Sequence, residues 1–229
     1  MKLIFVSFHR EWVREIKRLF PDAEAICGDV QQIARERTAF VSPANCLGFM
    51  DGGIDLVYSK TMFPGCEKKV KRKILDIGFK TLLGRPYLPI GSAFCVPVGV
   101  ATQATGLICA PTMFLPHNVS KTQNAYHSFF AALAVFHKLD GAYDTLVVTS
   151  HCCGYGCMEP AVSAQQMREA YDDWLEGRRP PDTAGAPAKD TVLLPLVNEE
   201  QPDNYDNREI KVITVERLMA AAKESVEES

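Results

Sequence analysis

Three stretches of the chain bring together residue types that can hold a phosphorylated sugar or nucleoside, or act on one. The longest is Ser42-Pro43-Ala44-Asn45-Cys46-Leu47-Gly48-Phe49-Met50-Asp51-Gly52-Gly53-Ile54-Asp55. Asn45 offers a donor and an acceptor, which suits ribose hydroxyls. Gly52 and Gly53 bare backbone N–H groups for a close approach, and Asp55 follows Asn45 by ten positions. The second stretch is Cys27-Gly28-Asp29-Val30. Its carboxylate can accept from an amine or hydroxyl, although Gly-Asp is equally a common turn. The third is His151-Cys152-Cys153-Gly154-Tyr155-Gly156-Cys157. Glycines before a helix can form a nest of N–H groups for phosphate, or simply a tight strand-to-helix turn. His151 and its cysteines are also metal-ligand types. A structural zinc site takes four ligands in spaced pairs, however, and no second pair stands out. No His-plus-Asn set accompanies a cysteine nucleophile either. Neither a metal nor a cofactor is expected.

Such loops work together when they share the carboxyl edge of an α/β sheet. Short apolar runs alternating with helical spacing predict that class. Leu3 to Val6, Ala23 to Cys27, Thr38 to Val41, Ala93 to Val98, Leu107 to Ala110 and Thr145 to Thr149 read as strands. Trp12, Val13, Ile16, Leu19 and Phe20 recur at helical spacing, and Pro21 ends that helix. A polar helix is expected from about Cys66 to Lys80, with Lys68, Lys69, Lys71, Arg72 and Lys73 on a solvated face. Ser120 is the expected N-cap of a helix carrying Tyr126, Phe129, Phe130, Leu133 and Phe136 on one side. Pro160 opens the last core helix, with Met167, Tyr171 and Trp174 inward.

Residues 178–190 are rich in Pro and Ala and read as a linker. The extension over 191–229 holds an apolar run from Val192 to Val197, a polar turn around Gln201 to Asn207, and an amphipathic helix from Thr214. It is expected to pack on the main domain.

With 229 residues, 47% apolar and 23% charged, the chain can build one domain with a real core and falls outside the disordered range. Its 25 Lys and Arg against 28 Asp and Glu give a formal charge of −3. That balance argues against an extended nucleic-acid surface and against coating an anionic membrane. The uncharged stretch from Pro86 to Ser120 carries five prolines, so it reads as two buried strands with turns rather than a spanning helix. Eight cysteines sit mostly in apolar runs with no secretory leader visible, the pattern of reduced thiols in a cytoplasmic setting. Oligomeric state is not legible.

Gly28-Asp29-Val30 resembles the Gly-Asp-Ile motif of the macro domain family. Val41-Ser42-Pro43-Ala44-Asn45 with Asp51-Gly52-Gly53-Ile54-Asp55 looks like its Asn-Ala-Ala-Asn and glycine-rich loop. Gly154-Tyr155-Gly156 falls where that family has a second phosphate loop. The resemblance covers residues 1–177. It is closest to a phage and bacterial branch often labelled as tail proteins. Ser42 to Ser59, Cys109 to Met113, and Val119-Ser120 with Thr122 and Asn124-Ala125-Tyr126 carry that closer match.

The resemblance implies a three-layer α/β/α sandwich with a mixed, mostly parallel sheet, plus the short C-terminal extension. It also implies an ADP-ribose cleft. Asp29 would hold the adenine amine and Val30 would lend an N–H. Asn45 would bind the distal ribose, Gly52, Gly53 and Ile54 would line that ribose and the diphosphate, and Gly154, Tyr155, Gly156 and Cys157 would clamp the phosphates. Hydrolytic relatives use an Asn and an Asp ten positions later, as Asn45 and Asp55 stand here. Asp55 would then activate water at the anomeric carbon of a mono-ADP-ribosyl bond. Asp55 capping a helix is the alternative role. Three readings of function stay open: a hydrolase acting on ADP-ribosylated protein or a small derivative, a reader that only binds, and a virion-associated structural protein. The phage-like match implies the host cytoplasm if the chain is viral. Cys152-Cys153 departs from the commoner Gly-Thr and is expected to reshape the phosphate pocket. Cys46, beside the key Asn, is expected to block the site when oxidised.

Overall fold

The computed structural model describes residues 1–99, 104–178, 191–195 and 210–214. The chain divides into two compact units, Met1–Gly185 and Ala186–Ser229.

Six strands form the sheet of the first unit: β1 (Lys2–Ser7), β2 (Glu24–Cys27), β3 (Thr38–Ser42), β4 (Phe94–Pro97), β5 (Thr105–Cys109) and β6 (Thr145–Val148). Their order is β2-β1-β6-β3-β5-β4, with every neighbouring pair parallel except β4 with β5. Strands buried on both faces read as unbroken apolar runs, and side chains alternate between the faces. Leu3, Phe5, Val41, Ile108 and Val148 face one core. Ile4, Val6, Phe40, Leu107 and Val147 face the other.

The first core is covered by α1 (Arg10–Leu19), α4 (Asn124–Lys138) and α5 (Pro160–Leu175). Trp12, Ile16, Phe129, Leu133 and Met167 are fully or nearly fully buried there, with Tyr171 and Trp174 half-buried at its margin. The second core is covered by α2 (Gly53–Leu56), a π-helical turn over Val57–Met62 and α3 (Cys66–Ile77). On α3 the side chains of Cys66, Val70 and Ile74 point inward, and the expected cations are exposed. Lys71 pairs with Glu67 at 2.6 Å, Arg72 pairs with Asp76 at 3.2 Å, and Lys69 Nζ donates to the Pro97 carbonyl at the end of β4 at 2.8 Å.

Two helix boundaries differ from expectation: α3 stops at Ile77 with Gly78 as a left-handed cap (φ 90°), short of the expected Lys80, and α4 begins late. Helix α4 opens at Asn124 with Gln123 at the cap, not at Ser120. Asn118 Oδ1 accepts from both the Ser120 N–H and its hydroxyl, at 2.9 and 2.7 Å, so Ser120 is committed to a local turn instead.

In the second unit, β7 (Thr191–Pro195) pairs antiparallel with β8 (Ile210–Thr214). The expected apolar strand is therefore present as far as Pro195. The linker beyond Arg178, the turn at 201–207, the helix after Thr214 and the packing of this extension all lie outside the described residues.

Candidate functional site

The long loop leaves the carboxyl end of β3 and is fastened to the segment after β5. Cys46 N–H donates to the Met113 carbonyl at 2.8 Å and Thr112 N–H to Ala44 at 2.9 Å. Thr112 Oγ1 donates to Pro43, and Asn124 Nδ2 to the Thr112 carbonyl. Within the loop, Asn45 acts as an internal brace. Its Oδ1 accepts from the N–H groups of Leu47 and Phe49 at 3.1 and 3.2 Å, and its Nδ2 donates to the Phe49 carbonyl at 2.8 Å. One amide hydrogen is left for anything else. Gly48, at φ +71°, is one of the points where the loop packs on α3. A Cβ there would lie 2.7 Å from Ile74 Cδ1, so only glycine fits.

Gly52 and Gly53 then turn the chain into α2, with Gly52 at the N-cap. Asp55 is not the cap. It lies inside α2 at 8% exposure and turns back to the end of β3, where Ser42 Oγ donates to Asp55 Oδ1 at 2.5 Å. Burial pushes the Asp55 carboxyl up to about 7. The nearby charge of Asp51 pushes the same way, while the Ser42 hydrogen bond opposes both. Near neutrality Asp55 is therefore poised between acid and carboxylate. Burial and the Asp55 charge also raise the Tyr58 hydroxyl, which donates to the Val41 carbonyl.

The second loop is built on left-handed backbone at two non-glycine residues, Cys152 (φ 62°) and Cys157 (φ 53°). Its crossing point is Gly156, where a Cβ would meet the Cys152 carbonyl at 2.5 Å and Val119 Cγ2 at 2.8 Å. Gly156 also passes its carbonyl to the Val119 N–H. Gly154 faces open space. Tyr155 is exposed, and its ring reaches the other glycine loop. A Cβ on Gly52 would touch Tyr155 Cε2 at 3.5 Å. The two glycine loops thus meet across the edge of the sheet.

His151, fully buried at the root of this loop, bonds the Thr149 carbonyl through Nδ1 at 2.8 Å, while Nε2 is buried with no partner. Burial pushes its pKa down to about 4, so the ring is neutral at physiological pH. Cys152 is turned into the core rather than into the loop mouth, so it contributes backbone strain there and not bulk. No group of three His, Cys, Asp or Glu side chains among the described residues is placed to hold a metal ion.

The Gly28-Asp29-Val30 loop lies at the end of β2, and Gly28 N–H donates to the Ser7 carbonyl of β1. Asp29 caps a 3₁₀ turn over Val30–Gln32. Its Oδ1 accepts from Gln31 N–H at 3.0 Å and its Oδ2 from Gln31 Nε2 at 2.9 Å. The side chain is half-buried, and both oxygens keep a free lone pair. Val30 is buried beneath it.

The three loops therefore follow the carboxyl ends of the parallel strands β2, β6 and β3 and share one edge, with β1 between the first two. The structure does not favour Cys46 as the expected oxidation switch. It is buried, and burial pushes its thiol up to about 12, which leaves neither access nor thiolate. Sequence reasoning missed the role of Ser42. The available signal was a hydroxyl closing the apolar run Ala39-Phe40-Val41, directly before the loop that returns Asp55 to it.

No family profile matches the sequence, and no curated protein matches it. Solved structures do. The macrodomain of Mycobacterium tuberculosis DarG superposes with a TM-score of 0.50 at 22% identity, covering 64% of this chain and 88% of its own. The macrodomain of Thermus aquaticus DarG gives 0.51 at 18%, covering 74% and 90%. A glycine-to-valine variant of the Oceanobacillus iheyensis macrodomain, determined with ADPR, gives 0.50 at 13%, covering 66% and 77%. At these identities the likeness establishes the fold: a mixed, mostly parallel α/β sandwich of the macrodomain type.

Proposed function

From the macrodomain fold as premise, we propose that the edge formed by the three loops is an ADP-ribose cleft and that the protein hydrolyses a mono-ADP-ribosyl bond there. The observation that carries the reading is the meeting of the two glycine loops, Gly52 against Tyr155, on the same loop that carries Asp55 to Ser42 three residues after Gly52. A diphosphate needs converging N–H groups, and the loops over Gly52-Gly53-Ile54 and Gly154 to Gly156 supply them, whereas the Cys157 N–H, expected to join them, is returned to the Gly154 carbonyl at 3.0 Å. Asp29 takes the adenine amine through its spare lone pairs, and Val30 adds an N–H. The remaining amide hydrogen of Asn45 addresses the distal ribose. Asp55 takes the proton of the attacking water, and a carboxyl balanced near 7 suits general-base work at neutral pH.

The second reading, binding without efficient turnover, is favoured by a different observation. Asp55 is nearly enclosed and Asn45 is largely spent on its own loop. Calorimetric titration with ADP-ribose, with ADP and AMP as controls, tests the cleft. The expected result is a preference for ADP-ribose in roughly the micromolar range, about −8 kcal/mol. No binding at millimolar ligand would remove the proposal. Turnover of an ADP-ribosylated substrate by wild type but not by Asp55→Ala, with affinity held within about tenfold, separates hydrolase from reader.

A further inference from the structure

Beyond the cleft, the surface after α3 concentrates apolar and basic side chains in one short span. Leu75, Ile77, Phe79, Leu82 and Leu83 are all exposed, Leu82 at 82% and Leu83 at 71%. Between Cys66 and Tyr87 there are seven Lys and Arg against two carboxylates, Glu67 and Asp76, in a chain whose overall charge is −3. The whole-chain balance hides this local polarity. Lys68, Lys73 and Lys80 are exposed and carry no ion pair among the described residues.

The leucines are presented on a hydrogen-bonded support. Residues 79–87 form a hairpin in which Thr81 N–H donates to Arg85 at 2.8 Å, Gly84 N–H to Thr81 at 2.9 Å and Tyr87 N–H to Phe79 at 3.1 Å. Gly84, at φ +77°, makes the turn, and Leu82 and Leu83 stand at its tip. Phe79, Tyr87 and Phe114 pack in file at its base, with centroids 6.2 and 6.0 Å apart. Leu88 anchors it, buried and donating its N–H to Cys46.

We infer that this hairpin and the outer face of α3 dock on an anionic lipid bilayer, the two leucines entering the interface and the lysines meeting the headgroups. Exposed aliphatic tips in a span that carries seven Lys and Arg against two carboxylates fit that medium, in which apolar burial and attraction to acidic lipid add. Protein interfaces instead deplete lysine and favour aromatic and Arg anchors. Single-stranded nucleic acid needs a platform of free aromatic faces, whereas here the most exposed side chains are two leucines and Phe79, Tyr87 and Phe114 pack in file at the base. A second copy through the same face would oppose two basic surfaces. No described helix is long and apolar enough to cross a membrane.

The test is flotation of the full chain with phosphatidylcholine vesicles containing about one-third phosphatidylserine, against pure phosphatidylcholine. Binding is expected to the acidic vesicles only, weakening with added salt. Leu82→Ser with Leu83→Ser should lower the affinity at least about tenfold, since two buried aliphatic side chains are removed. Lys73→Glu with Lys80→Glu should lower it by more than about fivefold per site. Both double variants should melt as wild type does. No binding to acidic vesicles, equal binding to both compositions, or full binding by the leucine variant would each overturn the proposal. So would self-association in the absence of lipid that the leucine variant abolishes, because a second copy would then occupy the face.

Discussion

Replacing Asp55 by Asn tests the buried pair without requiring any activity. In the folded chain the Asp55 carboxyl titrates at about 7, against 3.8 for the ordinary group, because burial penalises its charge. Between those values the folded state holds a proton that the unfolded state has released, so stability falls as pH rises. Each unit in that interval costs about 1.4 kcal/mol, and the whole amounts to roughly 4 kcal/mol. The stability is fully present below the unfolded value and gone above about 7. The amide of Asp55→Asn keeps the shape and an acceptor for Ser42, and has no charge to bury. At about 2–4 °C per kcal/mol for a chain of this length, the melting temperature of the variant relative to wild type should rise by roughly 8–16 °C between about pH 4 and pH 8. Scanning calorimetry of both proteins across that range reads the difference directly, and titrating groups not coupled to Asp55 cancel in it. A flat difference would mean that Asp55 is solvated. A difference that shrinks with pH would mean that its carboxylate is stabilised rather than penalised. Either result would remove the poised general base from the mechanism.

Other outcomes follow from the same geometry. His151 is held neutral with its pKa near 4 instead of 6.5, so the fold loses stability as pH falls from about 6.5 towards 4; His151→Gln should flatten that acid limb in the same melting series. Gly156→Ala places a Cβ against the Cys152 carbonyl and should cost about 1–3 kcal/mol and most of the ADP-ribose affinity, whereas Gly154→Ala meets open space and should melt within about 0.5 kcal/mol of wild type. In native protein a thiol reagent should label Cys27 and Cys157, which are exposed, and leave Cys46, Cys66, Cys109 and Cys152 untouched; rapid labelling of Cys46, read by mass spectrometry, would contradict its burial.

Much of the architecture was legible because its signals are local. The strands are apolar runs of β length, and Trp12, Val13 and Ile16 recur at helical spacing. The loops carry glycines that the structure needs for different reasons: Gly48 for contact with Ile74, Gly156 for the crossing over Cys152. What escaped sequence reading depends on which polar group wins a contest between partners. Ser120 has the right chemistry for a helix cap, but Asn118 lies two residues away and takes both its donors. Asn45 and Asp55 have the spacing of a catalytic pair, and nothing in that spacing says that Asn45 would be bonded to Leu47 and Phe49 or that Asp55 would turn to Ser42. Those choices are made by tertiary neighbours. The hairpin at 79–87 escaped for the opposite reason, since its two leucines look like core until their exposure is seen.

The two margins of the sheet have a bearing on how this chain survives its own synthesis. A bare strand edge is a template on which a second molecule can add itself, and aggregation often starts there. Here β2 is only four residues long, with its first residue, Glu24, charged and paired to Lys2. At the other margin β4 runs against its neighbour and ends in Pro97, which has no N–H to offer, and Lys69 occupies the carbonyl of that same residue. Each border is therefore short, charged or chemically closed. A newly made chain can expose a six-stranded sheet while its helices settle and still give a neighbouring copy little to grip.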